Sequence, residues 1–226
     1  MFKRVLSIFS VLALLVFFPQ TTLADSSLTG HKIIIDAGHG GSDSGSTACP
    51  DLPEKTVNLD IAERLAGLLK ADGATVYPTR TDNTTTLSNA DRYNFANATD
   101  GEVLVSIHLN GSSNTSTDGT RGLYGKIGKD KAFTQMIHSA LWEGLKSTPD
   151  FIDFGVTNFA SGLLLKTTMP ATIQETVFIS NSNECNLLKT PGGARQQEIA
   201  QNLYNGLLNW FAQPQPTPTP KPGKNR

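Results

Sequence analysis

The chain has 226 residues, and 19 Lys and Arg stand against 20 Asp and Glu for a formal net charge of −1. That balance excludes the basic field that draws a protein onto nucleic acid, and the length suits one domain of ordinary size with its own core. The two cysteines, Cys49 and Cys185, have the wrong spacing for a closed thiolate metal site.

Lys3 and Arg4 precede an apolar run from Val5 to Phe18, and Thr22-Leu23-Ala24 offers the small residues that a signal peptidase reads. Residues 1–24 are therefore expected to be a cleaved signal peptide, with Asp25 first in the mature chain. The run falls short of the roughly 20 residues a helix needs to span a bilayer. No other segment approaches that length, and no Cys at the cleavage point awaits a lipid. An exported protein is expected, in the periplasm or the extracellular wall, with no membrane span after signal cleavage. In an oxidising compartment Cys49 and Cys185 have one pairing open to them, which would tie two loops together; sequence alone does not bring their Cα atoms within bridging distance.

The first strand of the domain, His31 to Asp36, runs through three β-branched residues into the glycine-rich stretch Gly38-His39-Gly40-Gly41, which leaves His39 at the mouth of a turn. Val57, Ile61, Leu65, Leu68 and Leu69 recur at helical spacing, so a helix is expected from Glu54. Pro53 is expected at its first position and Asp72-Gly73 at its stop. The short connection turns Glu54 back toward the His39 loop. Ala74 to Arg80 reads as a second strand, which makes a βαβ unit and the beginning of a mainly parallel sheet. Ser88 caps a short helix, and Glu102 to Asn110 is a buried strand that, like the first, ends in a histidine, His108.

Gly111 to Gly122 reads as a polar surface loop and Leu123 to Ile127 as a short strand. A helix is expected from about Asp130 to Lys146, then an irregular aromatic loop from Phe151 to Gly162 and a short strand at Leu163 to Lys166. Pro170 to Asn181 is a buried strand with Glu175 in its middle. A carboxylate there costs free energy to desolvate unless it has a partner or a task. A last helix runs from Gly193 through Phe211, and residues 213–226 form a Pro/Thr-rich tail that packs poorly. The expected architecture is a single three-layer α/β domain at 25–212, a mainly parallel sheet flanked by helices.

His39, Glu54 and His108 all lie at the carboxyl ends of strands or at the helix start that follows one, where open α/β sheets gather their ligands. Two imidazoles and a carboxylate are a ligand set of catalytic zinc, with a fourth position for water. Glu175, outside that set, is the expected catalytic carboxylate that moves a proton. Each residue alone has a plainer explanation: turn histidines, a helix-start acid, and Glu175 as a partner for Arg80 or Arg92. Their conjunction favours the site. Asp36, Arg80 and Arg92 are assigned to structural pairs, and His31 and His138 to surface or core.

Ile-Asp-Ala-Gly-His-Gly-Gly-Ser-Asp-Ser-Gly, then Glu-Lys with Asn-Leu-Asp-Ile-Ala, Ser-Ile-His-Leu-Asn and Glu-Thr-Val-Phe-Ile-Ser-Asn resemble, in order, the motifs of the zinc-dependent N-acetylmuramoyl-L-alanine amidases of the amidase 3 type. The resemblance spans about residues 32–211. It implies a phosphorylase/hydrolase-like fold and hydrolysis of the amide between N-acetylmuramic acid and the first L-Ala of the stem, on peptidoglycan or muropeptides. His39, Glu54 and His108 match the Zn2+ ligands and Glu175 the catalytic carboxylate; a monomer is expected. Val177 stands where the family has Gly, and Gly111 where it has Ala. The interval from His108 to Glu175 is too short to add the helical block that restrains some resembling proteins, so no such block is expected. Two other readings stay open: a zinc hydrolase of another exported amide or stem-peptide bond, and a catalytically silent wall-binding protein.

Overall fold

Alternation of buried side chains along the strands divides the molecule into layers. The computed structural model describes residues 27–213; the expected signal peptide at 1–24 and all but the first residue of the tail at 213–226 lie outside the described residues. In chain order the elements are β1 Lys32–Ala37, α1 Glu54–Ala71, β2 Thr75–Pro78, α2 Asn89–Ala98, β3 Val103–Asn110, β4 Gly119–Tyr124, α3 Ile127–Leu145, β5 Ile152–Asn158, α4 Gly162–Lys166, β6 Ala171–Phe178, α5 Ser182–Leu188 and α6 Ala194–Phe211. They build a six-stranded sheet of order β2-β1-β3-β6-β4-β5. β1 runs parallel to β2 and β3, and β3 parallel to β6; β4 is antiparallel to β6 and parallel to β5.

Ile33, Ile35, Val103, Val105 and Ile107 point to one face, against Val57, Ile61, Leu65 and Leu69 of α1 and the buried stripes of α3 and α6. Ile34, Leu104, Ala171 and Ile173 point to the other, against Ala96 of α2 and Leu163 and Leu164 of α4. This period of two, buried on both faces, is what a parallel sheet between helical layers requires. Each fully buried Ile or Leu contributes about 1.5–3 kcal/mol over its exposed state.

The structure differs from the sequence reading on the β4–β5 side. The expected loop at Gly111 to Gly122 already contains the first residues of β4, and the expected irregular stretch after Phe151 is strand β5. Leu163 to Lys166 is helical, not a strand: Ser161 caps α4 by accepting from the Leu163 N–H. α5 was not expected. Pro53 sits one position earlier than expected, as the N-cap of α1, and supplies no side-chain cap. The glycine-rich loop replaces it: Ser46 O accepts from the Glu54 N–H and Ser44 O from the Lys55 N–H. The helix start thereby becomes part of the loop that carries His39.

Candidate metal centre and hydrolytic pocket

β1 delivers His39 just past its end with φ +60, in the left-handed region, which costs a non-glycine residue about 1–3 kcal/mol unless its surroundings impose it. Two arginines impose it. Arg80 donates to the carbonyls of Ala37, Gly38 and Lys55, and Arg92 to those of Ala37 and His39. Arg92 is fixed in turn by Asp36 at 2.6 Å, and Asp36 also accepts from Ser106 and Thr79. The expected structural pairs exist, and their work is to hold the His39 turn. His31 is half-buried beside Glu102 and stacked on Phe211, and His138 is buried and bonded to Asp153.

His39, Glu54 and His108 offer ligand atoms that all lie within 4.8 Å of one another. Glu54 Oε1 is 3.1 Å from His39 Nε2 and 3.3 Å from His108 Nδ1. The rest of the Glu54 carboxyl is satisfied by the N–H groups of Ser46 and Leu109 and by Asn58 Nδ2. His39 Nδ1 lies 2.8 Å from Asp43 Oδ2, the carboxylate–imidazole contact that orients a metal-ligating histidine. Gly38 leaves room for the second imidazole, since a Cβ there would stand 2.3 Å from His108 Nε2.

Electrostatics agree with a site for a cation. Burial works against the charged form of Glu54, yet hydrogen bonds with His108 and His39 hold its carboxyl well below the usual range. Burial likewise opposes the charge on His39, but Glu54 and then Asp43 raise it to about 9. The Glu54 carboxylate between two imidazoles favours positive charge at one point, a proton or a metal ion that displaces it, so the donor set fits Zn2+, which takes imidazole and carboxylate ligands in tetrahedral sites.

Glu175 lies directly beside His108 in the β3–β6 register and is the one residue of β6 that is not buried, where the strand opens on the pocket. Burial nonetheless pushes its carboxyl above the ordinary value, against the pull of His108. Neither Arg80 nor Arg92 pairs with it. The arginine opposite it is Arg121 of β4, a residue that sequence reasoning missed by placing it in a loop. His39, Glu54, His108, Arg121 and Glu175 line one open cavity of about 750 Å³, with Phe159 and Leu163 on its wall. Cys49, in the loop before Glu54, is disulfide-bonded to Cys185 of α5, joining the loop between His39 and Glu54 to the segment that follows β6.

A sequence model described as N-acetylmuramoyl-L-alanine amidase matches residues 33–209. The chain belongs to that family. This amidase is 34% identical over 182 residues to N-acetylmuramoyl-L-alanine amidase CwlM of Bacillus licheniformis, covering 80% of this chain and 68% of that one. It is 31% identical over 187 residues to N-acetylmuramoyl-L-alanine amidase LytC of Bacillus subtilis (strain 168), covering 81% of this chain; it spans 36% of the length of LytC. Its fold superposes with a TM-score of 0.72 on the catalytic domain of CwlV, an N-acetylmuramoyl-L-alanine amidase from Bacillus (Paenibacillus) polymyxa var. colistinus, at 31% identity over 80% of this chain and 98% of that one.

Proposed function

We propose that this enzyme is exported and hydrolyses the amide between N-acetylmuramic acid and L-Ala in peptidoglycan, with Zn2+ held by His39, Glu54 and His108. The observation that carries this reading is the placement of a second, differently tuned carboxylate, Glu175, beside His108 in the same cavity as the convergent ligand set. Bound Zn2+ supplies a Lewis acid that polarises a carbonyl and lowers the pKa of water to about 7.

The chain's own residues do the rest. Glu54 and the two imidazoles fix the point of attack, and Asp43 holds the His39 ring with Nε2 turned inward. Glu175 takes a proton from the attacking water on a carboxylate oxygen, then returns it to the nitrogen of the departing L-Ala. A raised carboxyl pKa suits both halves of that transfer, because the proton is neither held too weakly nor released too reluctantly. The open cavity admits a polymer strand, which a closed pocket would not.

The test is mass spectrometry of peptidoglycan digested by the enzyme with zinc, beside a Glu175→Gln variant and a chelated sample. Stem peptides with a free L-Ala amine, absent from both controls, are expected. Cleavage elsewhere in the stem, or binding of the wall without cleavage, contradicts the reading.

A further inference from the structure

Most charged groups in the cavity have a protein partner. Asp36 and Arg92 hold each other, Asp43 holds His39, and Glu54 lies between the two histidines. Arg121 does not fit this pattern. Its guanidinium donates no hydrogen bond to any described residue, and its Nε is buried without a partner. It rests over the Phe154 ring, 5.1 Å from the centroid, and Phe154 is itself backed by Phe178. An aromatic platform of this kind supports one face of a guanidinium and leaves its in-plane N–H fork free. Leaving such donors partly desolvated and unmatched is unfavourable, so a binding site gains when an acceptor arrives.

We propose that Arg121 is a subsite for a carboxylate on the peptide side of the scissile amide, which makes the enzyme selective for stems that carry that charge. This rests on the reaction proposed above. Arg121 faces Glu175 directly across the β4–β6 ladder, so its side chain projects beside the carboxylate that serves the leaving nitrogen. The only carboxyl of N-acetylmuramic acid is consumed in the amide being cut, which leaves its sugar side neutral. An anion within reach of Arg121 therefore belongs to the peptide, at the first residue beyond L-Ala. A planar guanidinium matches a carboxylate with two parallel hydrogen bonds, and a carboxamide in the same place accepts only one of them.

The experiment uses two N-acetylmuramoyl peptides that differ at one group, a free α-carboxylate or its carboxamide on the residue after L-Ala. Affinity for the full chain carrying Glu175→Gln is measured by calorimetry, and kcat/KM is measured on the unaltered enzyme. The carboxylate form is expected to be favoured at least about tenfold in both, mainly through Kd and KM. Arg121→Gln, which keeps the stem over Phe154, should bring the ratio to within about twofold. Arg121→Lys should retain part of it, at an unchanged melting temperature.

Equal handling of the two ligands by the unaltered enzyme overturns the subsite, and a preference that survives in Arg121→Gln overturns the assignment to Arg121. Cleavage without preference leaves the reaction standing and removes this inference. A preference in binding with no cleavage of either ligand supports the subsite and removes the reaction.

Discussion

Two carboxylates share the cavity under opposite conditions. Glu54 is almost fully buried at 3% exposure and accepts from the N–H groups of Ser46 and Leu109 and from Asn58, while its contacts with His108 and His39 hold it ionised. The side chain of Glu175 accepts no hydrogen bond from any described residue, and burial raises its pKa. A group that is saturated with donors is locked in one charge state and one rotamer, as a ligand must be. A group left without them can gain and lose a proton at little cost, as a general base and acid must. In the proposed reaction the β1–α1–β3 side of the site would hold the metal, and the β6–β4 side would exchange the proton.

The largest effect expected from breaking this contrast is on turnover. Glu175→Gln should lower kcat by about 10²–10⁴-fold while substrate affinity changes little, measured by peptide release under saturating substrate. Undiminished turnover would remove Glu175 from proton transfer.

Next comes the support of the holding side. Arg92→Ala leaves Asp36 buried without its partner and frees the His39 carbonyl. It should cost about 3–5 kcal/mol in urea unfolding and weaken metal binding with it. A loss confined to stability, with metal affinity intact, would mean that the His39 turn does not depend on these arginines.

The link between the two sides should matter less. Cys49→Ser with Cys185→Ser is expected to cost about 2–4 kcal/mol of stability, read from thermal melts of the variant against the oxidised parent.

The smallest effect lies behind β6, where Asp118, Glu184 and Arg195 form a buried cluster. Burial, with Asp118 adding to it and Arg195 opposing, pushes Glu184 up from 4.5 to about 7. A carboxyl raised in the folded state binds its proton more tightly there than in the unfolded chain. Its contribution is therefore complete below pH 4.5 and is lost as pH rises through about 7. Denaturant midpoints should fall across that window, and Glu184→Gln should flatten the slope.

What the sequence made legible follows the same division. The holding side is written in strong local signals: β-branched runs into glycines, a long amphipathic helix, a histidine at each strand end. The exchanging side is not. β4 contains Gly119 and Gly122, and in β5 Gly155 at φ +65 separates Phe154 from Val156, so neither shows an apolar run. These strands form because each has a partner, β4 against both β6 and β5, which is a tertiary fact. Arg121 was lost with β4. The stretch Gly162–Lys166 is too short for periodicity to separate helix from strand, and the Ser161 cap decided it. Glu175 drew notice despite this, because a charge inside an apolar strand is conspicuous without any knowledge of its neighbours, and the structure places it beside His108 in the same cavity.

The most direct test of the account is the zinc content, by inductively coupled plasma mass spectrometry after dialysis, of the unaltered enzyme, Glu54→Gln and Glu175→Gln side by side. One zinc per chain in the unaltered enzyme and in Glu175→Gln, with little or none in Glu54→Gln, is the predicted result. Zinc retained by Glu54→Gln, or lost from Glu175→Gln, would contradict the division of labour between the two carboxylates.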